Sequence, residues 1–221
     1  MKIINSYFII EDPEDTFYAG ERMLERIEKA GRTCYKSEEK ITEDSARKFV
    51  QAIIKRGHES VLEHEKITVR IICDRGVSHE IVRHRLASYS QESTRYCNYG
   101  NEKFGNEITV IDPSDAFDWK KCGNKEASRL WCIWEDSMKQ AEANYFELLE
   151  YGATAQQARS VLPNSLKTEV VMTANIREWR WFFIKRTPND AHPQMREIAR
   201  PMLRRFREIF PVLFDDVGVI E

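Results

Sequence analysis

The run Arg83-His84-Arg85-Leu86-Ala87-Ser88-Tyr89-Ser90-Gln91-Glu92-Ser93-Thr94-Arg95 concentrates the chemistry of this 221-residue chain. Guanidinium forks match phosphate oxygens in bidentate geometry, and the hydroxyls of Ser88, Ser90 and Ser93 add neutral donors. Arg83, His84 and Arg85 are consecutive, so on a helix they point about 100° apart. That fan suits a segment met by anions on more than one side. A solvated basic helix end has the same composition. Glu80 precedes Arg83 by three residues, so on a helix the two meet on one face. Glu80 then either orients the guanidinium or accepts from a ligand N–H. The glycines of a P-loop or a dinucleotide fingerprint are missing.

Three further constellations invite chemistry. Gly57-His58-Glu59-Ser60-Val61-Leu62-Glu63-His64 offers imidazoles and carboxylates. A zincin needs a second histidine where Leu62 stands, and an inverzincin has two residues fewer before its last histidine. Polar residues bonded locally at a helix-to-strand turn are the plainer reading. In Ala158-Arg159-Ser160-Val161-Leu162-Pro163, Arg159 falls in the last turn of a helix, where it favours the dipole or reaches a ligand. A helix from about Thr168 to Arg186 would align Asn175, Trp179, Phe182 and Arg186 on one face. A stripe that starts with Asn and ends with Arg leaves the core at both ends or lines a polar site. The aromatics Trp179, Trp181, Phe182 and Phe183 read as core, or as the floor for a flat ring system.

The elements that must position these residues follow from periodicity. Helices are expected over 18–31, stopped by Gly31, and over 42–56, capped by Thr42 and ended by Gly57. Lys66–Cys73 alternates and reads as a strand, Ser78 caps a helix through Arg85, and Glu107–Ile111 is a second strand. Helices follow at about 124–151, 153–161, 165–186 and 191–209. The expected class is α+β, a single domain over 1–221 with long helices and a small antiparallel sheet.

The chain carries a formal net charge of −2, so an anion site must be local. The cysteines at 34, 73, 97, 122 and 132 are odd in number and lack CxxC spacing. That speaks against a disulfide framework or zinc ribbon and for a reducing, cytoplasmic setting. The first residues have too short an apolar run for a signal peptide, and no stretch suits a membrane span.

Taken together, the blocks resemble the flavin-dependent thymidylate synthases. That family is marked by Arg-His-Arg, seven residues, then Ser, which fits Arg83-His84-Arg85 and Ser93, with Arg95 in its usual place. Arg32-Thr33-Cys34-Tyr35, His58-Glu59-Ser60 with Glu63-His64, and Val77-Ser78-His79-Glu80 also look like the family. So do Ala158-Arg159 with Leu162-Pro163, Thr173-x-Asn175-x-Arg177-Glu178-Trp179, Arg186, and Ala191–Ile198.

The resemblance implies a homotetramer, with sites shared between subunits, that converts dUMP to dTMP. Methylenetetrahydrofolate gives the one-carbon unit, and FAD reduced by NADPH gives the hydride. It assigns dUMP to Glu80, Arg83, Gln91, Ser93, Arg95, Arg159 and Arg186. It assigns FAD to Ser60, Glu63, Arg83, His84, Arg85, Gln91, Asn175, Arg177 and Trp181. His58 matches a histidine at the flavin and folate face, and Arg186 the arginine that activates uracil. No metal, nucleic acid, membrane or enzyme thiolate enters the expected reaction. Trp181 stands where the family usually has His or Asn, and Gln91 where it often has Glu. Two rivals remain from the residues alone: an RNA-binding protein using the arginine run with Tyr89, Tyr96 and Tyr99, and a metal-dependent hydrolase on His58, Glu63 and His64.

Overall fold

The computed structural model describes residues 1–13, 16–119 and 125–218. In chain order they form β1 (Lys2–Ile4), β2 (Tyr7–Asp12), α1 (Phe17–Thr33), α2 (Ser45–Lys55), β3 (Lys66–Asp74), α3 (Arg75–Ile81) and β4 (Ala87–Gln91). There follow β5 (Thr109–Ile111), α4 (Ser114–Phe117), α5 (Lys125–Glu150), α6 (Ala155–Ala158), β6 (Lys167–Asn175), α7 (Ile176–Arg186), α8 (Pro193–Ile209) and α9 (Pro211–Phe214). The class is α+β. One sheet has the order β2-β3-β6-β4. Glu65 O accepts from Ile176 N and Leu166 O accepts from Arg75 N, so the start of β3 meets the end of β6 and the pair is antiparallel. Among the described residues no helix is long and apolar enough to cross a membrane.

The sequence reads as one domain; the described residues divide into two compact units. The first comprises Met1–Tyr7, Ile71–Arg83 and Ser90–Val170. Its core gathers Ile108, Val110, Trp134, Met138, Tyr145 and Leu166. The strand expected at 107–111 is β5, and its partner is β1, paired in parallel with Ile3 opposite Val110. The N-terminal run is too short to announce a strand by alternation, which is why an antiparallel arrangement was expected throughout. The helix expected from Ser78 begins earlier. Asp74 caps α3, its carboxylate accepting from Val77 N at 2.6 Å. Ser78 lies inside, buried, and its hydroxyl donates to Arg75 O. The helix ends at Ile81, so Arg83-His84-Arg85 is not helical, and the fan expected of it is replaced by a turn leading into β4. Glu80 and Arg83 meet only through the backbone, Arg83 N donating to Glu80 O.

The second unit comprises Phe8–Arg70, His84–Tyr89 and Val171–Glu221. Its α1 is capped by Thr16 and runs past Gly31 to Thr33. Gly31 is therefore no stop. A Cβ there would come within 2.6 Å of the Phe49 ring, so glycine lets α1 approach α2 closely. Helix α2 starts at Ser45, not Thr42, because Thr42 N donates to the Ser45 hydroxyl in a turn of its own. Gly57, at φ +71°, closes it as expected. A cluster of Trp179, Phe182, Phe183, Phe206, Phe210 and Phe214 fills the core, with Trp179 Nε1 donating to Ile67 O at 3.0 Å.

The largest departure concerns the helix expected over 165–186, which is β6 followed by α7. Thr168, Val170, Met172 and Ala174 are buried and their neighbours half-buried, a period of two that the apolar density conceals. Asn175 makes the switch. Its side-chain oxygen accepts from Glu178 N at 2.8 Å and caps α7, so it does not share a helix face with Arg186.

Candidate active site

The first unit holds Arg83 and residues 90–95 of the basic run, and the acid among them is engaged. The Glu92 carboxylate accepts from Lys167 Nζ at 3.0 Å and from the Tyr99 hydroxyl at 3.1 Å. Burial works against the Lys167 ammonium, but Glu169 and Glu92 outweigh it and raise its pKa. Burial, then Glu92, raises that of Tyr99. Ser93 opens a turn in which its hydroxyl accepts from Arg95 N. That turn is tied to α6 twice: Arg95 Nε donates to Gln156 at 3.0 Å and Arg159 Nη1 to Thr94 Oγ1 at 3.4 Å. Arg95 and Arg159 are thus held by neutral partners, and both side chains are exposed. Arg83 is exposed too, and none of the three has an ion pair among the described residues. Gln91 Nε2 donates to the hydroxyls of Ser78 at 2.9 Å and Thr168 at 3.2 Å, which points its amide inward.

In the second unit, a cavity of about 500 Å³ is lined by Glu59, Glu63, Leu86, Asn175, Arg177, Glu178, Arg180, Trp181 and Ile184. Its cations are paired. Arg177 reaches Glu63 at 2.7 Å, and Arg180 reaches Glu59 at 3.2 Å and Asp216 at 2.8 Å. Trp181 is half exposed with Lys185 Nζ 4.5 Å from its ring centroid. Of the four aromatics, Trp179, Phe182 and Phe183 are core and Trp181 alone faces the cavity. A second cavity, of about 570 Å³, holds His58 and Ser60 with Arg32, Lys40, Arg56, Phe49 and Val61. The short turn Glu59–His64 divides its side chains between the two: Ser60 and Val61 in one, Glu59 and Glu63 in the other. His64 is exposed and lines neither.

Of Arg83, His84 and Arg85, His84 alone turns inward. It is 5 % exposed, its Nδ1 lies 3.1 Å from Glu178 Oε1, and its Nε2 accepts from Arg186 Nε at 3.1 Å. Burial, and then the Arg186 charge, hold the imidazole down at a pKa of about 4, so it is neutral near neutral pH. Burial raises the pKa of the Glu178 carboxylate. Arg85 remains exposed, with no ion pair among the described residues.

The structure thus groups Ser93, Arg95 and Arg159 in one unit, with Glu80, Arg83 and Gln91 in the same unit. In the other it groups Glu63, Asn175, Arg177 and Trp181, then His58 with Ser60, then His84 with Arg186. Glu59, Glu178 and Arg180 also belong to these clusters; Glu59 and Glu178 stand inside blocks already singled out without a role assigned to them, and Arg180 lies in none. A signal for Glu178 was its spacing, eight residues before Arg186 on one ridge of α7. Among the described residues no group of three His, Cys, Asp or Glu side chains is placed to hold a metal ion. Cys122 lies outside the described residues; Cys73 is buried, which pushes its thiol up.

Comparison with known proteins identifies the family. The family described as thymidylate synthase complementing protein matches residues 19–212. A flavin-dependent thymidylate synthase of Geobacter sulfurreducens is 34% identical over 196 residues, covering 86% of this chain and 79% of the relative. One of Pyrococcus abyssi is 34% identical over 179 residues, 79% of this chain and 69% of its own length. One of Mycobacterium tuberculosis is 32% identical over 200 residues, 87% and 79%. The matched span contains the basic run, both cavities and the whole of α7, and the chain belongs to the thymidylate synthase complementing protein family.

Proposed function

We propose that this protein is a flavin-dependent thymidylate synthase, a methyltransferase that converts dUMP to dTMP. Methylenetetrahydrofolate is the one-carbon donor and NADPH the reductant. The enzyme acts in the cytoplasm as a homotetramer whose sites are shared between subunits, without nucleic acid or membrane.

The observation that carries the reading is the state of the basic run. Arg83, Arg95 and Arg159 are exposed without ion pairs among the described residues, while Glu92 is engaged by Lys167 and Tyr99. Exposed cations free of competing carboxylates suit a phosphate dianion. Ser93 supplies a polar contact beside them, Gln91 supports the strand there through Ser78 and Thr168, and Glu80 accepts from the nucleoside. Arg186 stabilises negative charge as it develops on the uracil ring, which makes the 5-carbon nucleophilic. Arginine suits that task because it does not deprotonate in proteins.

The residues fit FAD. Lys40 and Arg56, without ion pairs among the described residues, stand with the Ser60 hydroxyl beside Phe49 and Val61, donors and walls suited to a pyrophosphate joined to flat rings. Glu63, Asn175, Arg177 and Trp181 offer polar edges and one aromatic face in the other cavity. Arg83, Arg85 and Gln91 are assigned to the same cofactor, and His58 to the face that it shares with the folate. When bound, FAD supplies the hydride chemistry, while the protein supplies position and electrostatics. His84 serves that site through its partners, since both its ring nitrogens are engaged.

The test is the flavin absorbance of the purified protein, followed on adding dUMP, with native mass measured alongside. Yellow protein of tetrameric mass whose spectrum responds to dUMP is expected. A monomer with no affinity for flavin overturns the reading. Bound zinc would favour a hydrolase.

A further inference from the structure

Glu178, Phe182 and Arg186 fall at i, i+4 and i+8 of α7 and form one ridge along the helix. His84 lies across the middle of that ridge, its ring centroid 5.0 Å from that of Phe182. One ring nitrogen meets the residue at each end: Nδ1 is 3.1 Å from Glu178 Oε1, and Nε2 is 3.1 Å from Arg186 Nε. The Tyr89 hydroxyl donates to the His84 carbonyl at 2.6 Å and fixes the backbone beneath the ring.

The protons follow from donor inventory alone. A guanidinium Nε has one hydrogen and no lone pair to accept with. His84 Nε2 must therefore be bare, and the single ring proton sits on Nδ1, where the carboxylate accepts it. An imidazolium would set N–H against N–H at Arg186 and break the bridge. The depressed pKa of His84 agrees with this geometry.

We infer that His84 is the positioning residue for Arg186: as a neutral imidazole held in the Nδ1–H form by Glu178, it grips the guanidinium at Nε. What Arg186 offers a ligand then comes from its Nη groups, at an angle set by the ring. The assignment gives the middle residue of the Arg-His-Arg run a task unlike that of its neighbours, since Arg83 and Arg85 point outward. It rests on the reading of Arg186 as the residue that activates the pyrimidine, and two experiments separate the inference from that reading.

The first needs no turnover. 15N NMR of histidine-labelled, flavin-loaded protein near neutral pH reads the tautomer of His84. A protonated Nδ1 with a bare Nε2 is expected. An Nε2–H form or an imidazolium overturns the inference, whether or not the protein makes thymidylate.

The second is a double-mutant cycle on the dUMP-dependent oxidation of reduced protein in a single turnover. His84→Gln and Glu178→Gln each slow that step about 10- to 100-fold, the scale of a misplaced catalytic group. The dissociation constant of dUMP moves less than about threefold, since charge is retained and only its placement is lost. In an Arg186→Lys background the same substitutions add little, because lysine has no Nε–H to be gripped. Full additivity would make His84 merely structural and sink the inference. If His84→Gln fails to fold, Glu178→Gln carries the cycle alone.

Discussion

The two units treat their arginines in opposite ways. In the first, Arg83, Arg95 and Arg159 are exposed, Arg95 and Arg159 meet neutral partners, and the Glu92 carboxylate is engaged by Lys167 and Tyr99. In the second, Arg177, Arg180 and Arg186 are each bound by a neighbouring side chain before any ligand arrives. Open cations gain most from a dianion that brings its own charge. Bound cations have fixed orientation, which a developing charge on a ring can exploit without reorganisation. On the proposed reading, Arg95 and Arg159 hold the substrate and Arg186 acts on it.

Arg186→Lys should give the largest effect and would break the comparison most directly. Lysine keeps the charge but not the fork, and the His84 bridge is lost. Single-turnover oxidation should fall by about 100-fold or more, while dUMP still binds. Near-normal rates would move the activating role away from Arg186.

Arg95→Ala and Arg159→Ala come next. Each removes a charge-assisted hydrogen bond worth about 1.5–3 kcal/mol to a phosphate. Titration calorimetry should show dUMP bound about 10- to 100-fold more weakly by either variant, with flavin affinity little altered. Unchanged dUMP affinity in both would refute the phosphate assignment.

A pH titration of stability sharpens the other side. His84 has a folded pKa of about 4 against an ordinary 6.5, so between those values the unfolded chain binds its proton and the folded chain does not. Its contribution therefore rises with pH across that window and is lost on acidification. Glu178, raised by burial, acts with the opposite sign. Denaturant melts from pH 4 to 6.5 should show wild type gaining on His84→Gln as pH rises. Parallel curves would mean that His84 is not buried neutral.

The smallest effect is expected from the thiols. Cys34, Cys97 and Cys132 replaced together by serine should leave dUMP-dependent flavin oxidation intact at normal flavin loading. A folded, loaded but inactive variant, rescued by restoring Cys97 or Cys34, would require a thiolate mechanism instead.

Much of this was legible in the residues because motif spacing is local. The run 83–95 and the turn 57–64 needed no tertiary knowledge to be singled out. What the sequence concealed was direction. Arg83, His84 and Arg85 look equivalent as a string, yet burial against Phe182 turns only the middle one inward. Residues 165–186 failed for a related reason. An apolar run hides whether its period is two or 3.6 until a partner strand chooses, and Asn175, read as part of a helix face, was in fact its cap. The helix start at Asp74 was missed because Ser78 is equally good capping chemistry four residues later. The closed approach at Gly31 depends on Phe49, eighteen positions away, and no local pattern reports it.

The inward amide of Gln91 constrains how this chain can change. Its nitrogen gives hydrogens to two hydroxyls, and the Ser78 hydroxyl gives its own to Arg75 O. A glutamate at 91 would turn acceptor against acceptor at Ser78 until that serine abandoned its helix carbonyl. The exchange is therefore not a single free step. Lineages crossing between glutamine and glutamate here should alter position 78 or 168 first, and the order of those substitutions would be the historical trace of one hydrogen-bond direction.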